Sequence, residues 1–522
     1  MKLTLRALLA RGYFPPELPP PFSTTSFAQA VGRPERVSLP EDFIKVKNDW
    51  CDITSYSLSR PGSLRRRLAI VNPIAYFRLA RFVVEHEQML LKKASSSNLS
   101  LARVVADHNG LRRSARLEDV PLKRAMLRIG EHFLLVADVI RFYPSIYTHS
   151  IEWAITSKTI AKRRLKTRGR KQTVGARIDS LVQACQSGQT RGLPIGPATS
   201  MLLAEILLAR VDARLRGRGI LNGFGFADDY ELIFGTRSNA ERALAILEDA
   251  LGEFELELNP TKTTILELPQ EIDNPGIQEL RSFPFRPQYQ AQRSDLMHFF
   301  TRAFALHKKF TETTILRYAV SRLDPLQIKS TNADLVQALI LQAVAYEPGV
   351  WPTAIKQLLA LRSANPGCGK NNIDQTIHAM IRKCAHMNHS SEIAWSVWAA
   401  LVFEITLSRS AVKAIGQMAD DCCGILLLHA AQVGLTVTKP PQKVFARWLS
   451  SDALRGPHWL LSYELGVKGW IRLPKGDHIA DDAVFDFLRK KNVEFYDTAE
   501  LQRAHDLGKE PDEEEDEMTY IG

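Results

Sequence analysis

Long hydrophobic runs are missing from this sequence. No stretch offers the roughly 18 uninterrupted apolar residues that a transmembrane helix needs, so we expect no membrane partner. Residues 1–11 are apolar but are interrupted by Arg6 and Arg11, which is typical of a short amphipathic helix rather than of a secretory signal. Hydrophobic residues make up 45% of the chain and charged residues 24%, which is the balance of a folded globular protein.

Cysteine is also scarce. Six cysteines among 522 residues are too few for a disulfide framework, so we predict a cytoplasmic protein in a reducing environment. Cys384, His386 and His389 lie close together, but their spacing matches no paired Cys-x-x-Cys or His-x-x-x-His arrangement. We therefore expect no metal site in this region.

Positive charge, by contrast, is in excess. The net charge is +11 although residues 512–517 are all acidic, so the body of the chain is more basic than the total. A polyanion such as nucleic acid is the natural partner, although a solvated basic surface would give the same balance. Residues 158–171 carry eight Lys and Arg side chains and no aromatic ring, which fits either a phosphate-binding surface or a solvated loop.

The chain is too long for one core, and its texture changes along its length. Residues 12–62 are rich in proline, which predicts a largely extended segment, either a linker or an arm laid over a domain or a neighbouring subunit. From about residue 295 helical periodicity dominates without a strict repeat, which favours an α-solenoid-like array. Between these parts the pattern predicts a sheet with helices on one face, with a strand at 133–138, helices at 151–160 and 198–215, a hairpin at 223–234, a helix at 239–251 and a strand at 255–258.

Three carboxylates fall at the ends of predicted sheet elements. Asp228 and Asp229 lie at the turn of the hairpin, where paired aspartates are often only solvated. Asp138 ends a continuously apolar strand, where a carboxylate is costly to bury unless it is paired or bound to a cation. Gathered at one edge, the three would repel unless divalent cations bridged them, and oxygen ligands suit Mg²⁺. Two such ions activate a 3′-hydroxyl and stabilise a leaving pyrophosphate, which is the scheme for nucleotidyl transfer.

Four motifs in order carry a family resemblance. Residues 138–146 read Asp-Val-Ile-Arg-Phe-Tyr-Pro-Ser-Ile, 192–197 read Gly-Leu-Pro-Ile-Gly-Pro, 226–229 read Phe-Ala-Asp-Asp, and 258–263 read Leu-Asn-Pro-Thr-Lys-Thr. Their order and spacing resemble a reverse transcriptase palm, most strongly from about 130 to 265. More narrowly, residues 142–150 and 188–190, with the segment 12–22 and the helical second half, resemble the bacterial abortive-infection and defence-associated reverse transcriptases.

The resemblance implies an α+β fold, in which reverse-transcriptase fingers and palm are followed by an all-α, HEAT-like helical-repeat domain. That domain would replace the usual thumb and build a homo-oligomer. The implied divisions are an N-terminal helix and proline-rich arm at 1–60, fingers and palm at 61–290, the helical domain at 291–505, and an acidic disordered tail at 506–522.

The resemblance also implies roles for single residues. Asp138, Asp228 and Asp229 would bind Mg²⁺ or Mn²⁺ with the Val139 carbonyl, and Lys262 would meet the triphosphate and protonate the pyrophosphate. Tyr143 falls where the family has an aromatic gate against the 2′-hydroxyl, so the substrates would be deoxynucleotides. The implied substrate contacts are Tyr143, Val139, Gly196, Phe226, Arg78 and Arg81. The two arginines lie one turn apart on a helix predicted over 73–84, where the alternative is a merely basic helix face.

Two departures leave the use of a template open. Phe226 stands where the family usually has tyrosine, and Ile195 stands where it usually has glutamine, which makes a polar contact near the incoming sugar and template. The main hypothesis is a Mg²⁺-dependent DNA polymerase in anti-phage defence, acting on deoxynucleotides with an RNA template or associated RNA. One alternative is template-independent synthesis primed on a protein tyrosine, with Tyr13 as candidate primer and with Tyr147 and other tyrosines not excluded. Another alternative is a nucleic-acid-binding scaffold without catalysis.

Overall fold

The chain is described here by a computed structural model that covers residues 2–44, 50–62, 65–165, 172–286, 291–471 and 476–507. The acidic residues 512–517 and the basic residues 166–171 lie outside these ranges, so the predictions made for them are not addressed by the fold.

Within the described ranges the strands form three antiparallel sheets. Two are hairpins, β1–β2 and β3–β4, and the third has four strands in the order β6-β7-β5-β8. The strands are β1 (Thr54–Ser59), β2 (Arg65–Ile70), β3 (Val104–Asp107), β4 (Gly110–Arg113), β5 (Phe133–Asp138), β6 (Gly223–Phe226), β7 (Asp229–Phe234) and β8 (Thr264–Glu267).

Helices surround these sheets and fill the second half of the chain. Those up to residue 281 are α1 (Leu5–Arg11), α2 (Thr25–Val31), α3 (Glu41–Ile44), α4 (Pro73–Glu85), α5 (Glu87–Ala94), α6 (Val120–Leu127), α7 (Phe142–Ser145), α8 (Thr148–Ile155), α9 (Lys158–Leu165), α10 (Val174–Ala184), α11 (Ala198–Gly217), α12 (Arg237–Gly252) and α13 (Pro275–Arg281). Those that follow are α14 (Gln292–Lys309), α15 (Ile315–Ser321), α16 (Ala333–Tyr346), α17 (Trp351–Ala364), α18 (Asn371–Cys384), α19 (Ser390–Val402), α20 (Arg409–Gly416), α21 (Asp421–Gln432), α22 (Gln442–Ala446), α23 (Trp459–Lys468), α24 (Ala483–Lys490) and α25 (Glu500–Leu507).

The four-stranded sheet forms because its central strands are apolar on the side that α12 covers. The Thr236 side chain caps α12 by accepting a hydrogen bond from the Asn239 amide, and the buried face of the helix, with Leu247 and Leu251, packs on β5 and β7. This arrangement confirms the predicted mixture of strand and helix. It also presents the ends of β5 and β7 at one edge.

One predicted strand is wrong. Residues 255–258 form only a single bridge, between Val139 and Leu258, and the edge strand of the sheet is β8 instead. Glu255 adopts a left-handed backbone with φ of 62°, and Pro260 has no amide to donate, so the segment cannot continue a ladder. The helix predicted over 151–160 is also two helices, α8 and α9.

The proline-rich segment is built into the core and is not a detached arm. Tyr13 and Phe27 are fully buried, and Phe22 forms a backbone bridge with Tyr496 near the end of the described chain. Its last part is strand β1, which pairs with β2 across the boundary that the sequence placed at residue 60. Large aromatic side chains supply the apolar area that proline alone would not bury.

From α14 onward the described residues contain helices and no strand, as the periodicity predicted. Trp351, Trp398 and Trp459 are buried between these helices. Among the described residues, no helix combines the length and the hydropathy required to cross a membrane. All six cysteines lie within the described ranges, are buried and form no disulfide.

Candidate active site

The sheet brings the three predicted carboxylates to one edge. Asp138 is the last residue of β5 and lies directly opposite Asp229, the first residue of β7. Phe226 pairs with Asp229 across the hairpin, so Ala227 and Asp228 form a two-residue turn. The Val139 amide donates a hydrogen bond of 3.3 Å to the Asp228 carbonyl, which fixes the turn against the end of β5.

The turn holds a strained residue next to the carboxylates. Ala227 has a φ of 55°, in the left-handed region that residues with a side chain seldom adopt. Strand pairing on both sides holds it there, and such strain concentrates at functional sites. The strain orients Asp228 at the tip of the hairpin.

The pKa values of Asp228 and Asp229 are raised. Burial and the charge of Asp138 raise the pKa of Asp228, against the opposing effect of Arg113 and Arg66. Burial, the charge of Asp228 and hydrogen bonding with Asp138 raise the pKa of Asp229 to about 7. Asp229 is exposed, so a cation can approach it from solvent. A bound cation would reverse the part of the pKa shifts that comes from the like charges.

Two groups from the loop before β8 hold Asp138. The Asn259 side-chain amide donates 2.9 Å to one carboxylate oxygen, and Lys262 Nζ lies 3.7 Å from the other. Lys262 is half-exposed, so its ammonium group is open to a substrate that approaches from solvent. Asn259 was not singled out by the sequence, although it lies in the same motif as Lys262.

Arg66 and Arg113 are cations near the site that the sequence did not predict. Arg66 on β2 is half-buried and lies within electrostatic reach of Asp228 and Tyr143. The sequence pattern that points to Arg66 is the run of three arginines at 65–67 on a strand. Side chains alternate along a strand, so only every second one can face the site.

Arg113, at the end of β4, connects Tyr143 to the β6–β7 hairpin. Its guanidinium lies over the Phe226 ring, 5.8 Å from the centroid, and 3.6 Å from the buried carboxylate of Glu205. Burial raises the pKa of Tyr143, and the charge of Arg113 and a hydrogen bond with Arg113 offset only part of that rise. Tyr143 and Phe226, both predicted substrate contacts, therefore share a partner.

Packing leaves no room for a side chain at Gly196. Its φ is 132°, and a Cβ there would lie 2.6 Å from Pro15 Cγ and 3.3 Å from the Ala69 carbonyl. The neighbouring Ile195 carbonyl accepts a hydrogen bond of 2.8 Å from the Ala69 amide. The central loop is thus joined to β2, the strand that carries Arg66.

Three predicted residues have partners outside the carboxylate cluster. Arg78 is buried, and its guanidinium donates to the carbonyls of Asp42 and Phe43, so its role is structural and the predicted phosphate contact is wrong. Arg81 pairs with Glu85 on the same helix at 2.8 Å, and its phosphate contact stays a prediction.

Tyr13 is the third. It is fully buried, donates a hydrogen bond of 2.6 Å to the Val71 carbonyl and stacks on Tyr76 with ring centroids 4.2 Å apart. A primer hydroxyl must reach the reacting phosphate, and this one is used inside the core. The expectation of a mobile Tyr13 primer is therefore wrong for this fold.

The donor set fits a hard divalent cation. Three carboxylates converge, and one of them, Asp229, is exposed. Part of the raised pKa of Asp228 and Asp229 comes from like charges, a repulsion that Mg²⁺ or Mn²⁺ would relieve. The Val139 carbonyl belongs to the residue after Asp138 and stays a predicted ligand.

Residues 83–283 match the family model described as reverse transcriptase (RNA-dependent DNA polymerase). The chain contains a reverse transcriptase domain. This confirms the prediction of an RNA-directed DNA polymerase, a nucleotidyltransferase, and such domains use divalent metal ions. The carboxylates, Tyr143, Gly196 and Lys262 lie inside the matched range, whereas the β1–β2 hairpin precedes it and α14–α25 follow it.

The other comparisons add little. Among solved structures, the chain is similar to apo telomerase from Candida tropicalis, with a TM-score of 0.34 and 12% identity over 70% of this chain and 69% of that one. At this level the likeness carries no argument. No curated protein matches the sequence.

Proposed function

We propose that the chain is a Mg²⁺-dependent DNA polymerase of the reverse transcriptase type that adds deoxynucleotides by two-metal nucleotidyl transfer. The observation that carries the proposal is the meeting of Asp138, Asp228 and Asp229 at one sheet edge inside the reverse transcriptase domain. Lys262 beside Asp138 supplies the cation that such a site needs for the triphosphate.

The residues divide the work by position. Asp138, Asp228 and Asp229 would hold the two cations, which supply a lowered pKa at the primer 3′-hydroxyl and charge neutralisation at the pyrophosphate. Lys262 Nζ donates a proton to the leaving pyrophosphate, and Arg66 binds the triphosphate from β2. The Tyr143 ring excludes a 2′-hydroxyl.

Substitution of one metal-binding carboxylate tests the proposal. Asp138→Asn keeps the shape and a hydrogen-bond acceptor but removes the charge, so incorporation of labelled deoxynucleotide should fall about 10³-fold or more, the order of effect of lost transition-state stabilisation. Asp249→Asn, on the exposed face of α12, is the matched control and should keep full activity. Equal incorporation by the two variants would remove the carboxylates from catalysis.

The biological setting belongs to the proposal as well. The motifs at 142–150 and 188–190 support a role in anti-phage defence, in the cytoplasm, with bound nucleic acid. The helical half would form a HEAT-like array that builds a homo-oligomer, for which its many consecutive helices are the support. Phage plating on cells that carry the wild type or Asp138→Asn separates defence from mere binding. Light scattering of the purified protein measures the number of subunits in the oligomer.

Protein-primed, template-independent synthesis by the same site is the second candidate. Ile195 in the central loop supports it, because an apolar side chain cannot make the usual polar contact near the template. Since Tyr13 is buried, the primer position passes to Tyr147, which is half-buried and lines a cavity of about 570 Å³ with Arg191 and Glu257.

Digestion of the product with proteinase tests this alternative. A peptide left on the DNA by the wild type and by Tyr13→Phe, but absent from Tyr147→Phe, supports priming on Tyr147. Free 5′ ends in all three products exclude protein priming. A protein that binds nucleic acid and incorporates nothing would favour the non-catalytic scaffold.

A further inference from the structure

The helical half of the chain holds the β1–β2 hairpin by its backbone. The Ser57 amide donates 2.9 Å to Ser390 Oγ, and the Ser59 amide donates 2.8 Å to Ser391 Oγ. Both serines begin α19, so the outer edge of β1 is paired to the first turn of a helix more than 300 residues away. Amides that would otherwise be open on an edge strand are thus satisfied by the second half of the chain.

An ion pair completes this contact. Arg65 donates from two nitrogens to the two carboxylate oxygens of Glu392, at 2.7 and 2.8 Å, and from its Nε to Ser57 Oγ at 2.6 Å. Glu392 is 4% exposed and also accepts 2.7 Å from Ser391 Oγ. Burial alone would raise the pKa of Glu392, but the bonds from Arg65 and Ser391 outweigh it and hold that pKa low. A bidentate ion pair of this kind fixes the orientation of the Arg65 guanidinium as well as its distance from Glu392.

Neighbouring residues of β2 face opposite sides. Arg65 points to α19, whereas the half-buried Arg66 lies within electrostatic reach of Asp228 and Tyr143. The same strand donates the Ala69 amide to the Ile195 carbonyl of the central loop. A shift of β2 would therefore move Arg66 relative to the carboxylates.

A metal site is the alternative use of Glu392. Its carboxylate lies within 4.8 Å of ligand atoms of Cys384 and His389, two residues of the region for which the sequence predicted no metal site. Arg65 already occupies both carboxylate oxygens, and burial raises the pKa of Cys384 to about 11, which keeps the thiol protonated. The geometry favours the arginine as the partner.

We propose that Glu392 is a positioning residue for nucleotide binding: by holding Arg65 it sets where β2 presents Arg66 to the incoming triphosphate. The inference deepens the proposed function and rests on it. The helical half would then act on the active site directly, through the hairpin, in addition to any role in assembly.

Two variants loosen this contact. Glu392→Gln removes the charge and one acceptor, and Arg65→Lys keeps the charge but loses the fork. In each, KM for deoxynucleotide should rise about tenfold with kcat changed far less, because a triphosphate contact made from the ground state onward is lost. Asp295→Asn is the matched control, since Asp295 is also a buried carboxylate held by a forked arginine, Arg286, away from the hairpin.

Hydrogen exchange gives a readout that does not need catalysis. The amides of Ser57 and Ser59 should exchange faster in Glu392→Gln than in the wild type, and no faster in Asp295→Asn. A folded Glu392→Gln protein with unchanged KM and unchanged exchange would overturn the positioning role. Stoichiometric Zn²⁺ binding to the wild type that Cys384→Ser abolishes would overturn it too. Faster exchange in a protein whose wild type incorporates nothing would support the hairpin contact while refuting the proposed function.

Discussion

At the scale of single residues, the site is governed by charge crowding. Asp138, Asp228 and Asp229 meet at strand ends whose pairing fixes their positions, and their mutual repulsion is the price of that arrangement. Lys262 and Asn259 offset part of it at Asp138, and the Lys262 charge also offsets part of it at Asp229. The ionisation of Asp229 therefore reports whether a cation is bound.

The raised pKa of Asp229 predicts proton release on Mg²⁺ binding. In the metal-free protein Asp229 keeps its proton up to about pH 7, whereas the unfolded chain loses it near 3.8. The folded state thus binds more protons between these values, and the stability of the metal-free protein should fall as the pH rises from about 4 to 7.

Calorimetric titration of Mg²⁺ in buffers of different ionisation enthalpy measures the released proton. We expect release of up to about one proton per site near pH 6 and almost none near pH 8.5. Asp229→Asn should release fewer protons than the wild type near pH 6, because only Asp228 then has a raised pKa. Metal binding that is independent of pH in the wild type would contradict the proposed repulsion between the carboxylates.

Arg113 offers a second prediction at this scale. Arg113→Met should lower kcat/KM for deoxynucleotide about tenfold and weaken discrimination against ribonucleotides, because Tyr143 and Phe226 lose their shared partner. Loss of the charge beside buried Glu205 should also cost about 1–3 kcal/mol of stability. Arg112→Met is the control on the same strand, since Arg112 is exposed and pairs only at the surface. The same discrimination in both variants would exclude Arg113 from the gate.

At the scale of elements, the central loop depends on the N-terminal segment. Gly196→Ala should destabilise the protein by about 2 kcal/mol, because its φ of 132° suits glycine and the new Cβ would overlap Pro15. Gly217→Ala, at the end of α11 with open space around it, should leave stability unchanged or raise it. Urea unfolding compares the two. Equal midpoints would show that Pro15 yields without cost.

The elements also show how far sequence reasoning reached. Strand β5 and the β6–β7 hairpin were predicted because continuous apolarity and alternation are local signals, and they carry all three carboxylates. The edge strand β8 was missed because its pairing depends on β5, more than 120 residues earlier. Arg78 resembled a phosphate contact, yet its burial is decided by carbonyls of a distant segment. Partners set by tertiary packing leave no local pattern.

At the scale of the whole molecule, both ends of the described chain are packed together. The Ser23 amide donates 3.1 Å to the Phe495 carbonyl, and Ser26 Oγ donates 2.7 Å to the Glu494 carbonyl. Tyr13 packs edge-on against Phe495, and Phe14 stacks on the same ring. The proline-rich segment therefore joins α4, which carries Tyr76, to the segment between α24 and α25.

This closure predicts cooperative unfolding of the two halves. Thermal unfolding should give one transition that coincides by far-ultraviolet circular dichroism and tryptophan fluorescence. Tyr13→Phe should lower the temperature of that transition without splitting it. The lost hydrogen bond to Val71 should cost about 1–2 kcal/mol of the free energy of unfolding. Two separate transitions in the wild type would show that the halves fold independently.

The central claim is that the carboxylate edge performs nucleotidyl transfer. Its most direct test is single-turnover incorporation of a labelled deoxynucleotide by the wild type and by Asp228→Asn, with nucleic-acid binding measured on the same samples. The account predicts Mg²⁺-dependent incorporation by the wild type and binding without incorporation by Asp228→Asn. Incorporation by Asp228→Asn at the wild-type rate would contradict it.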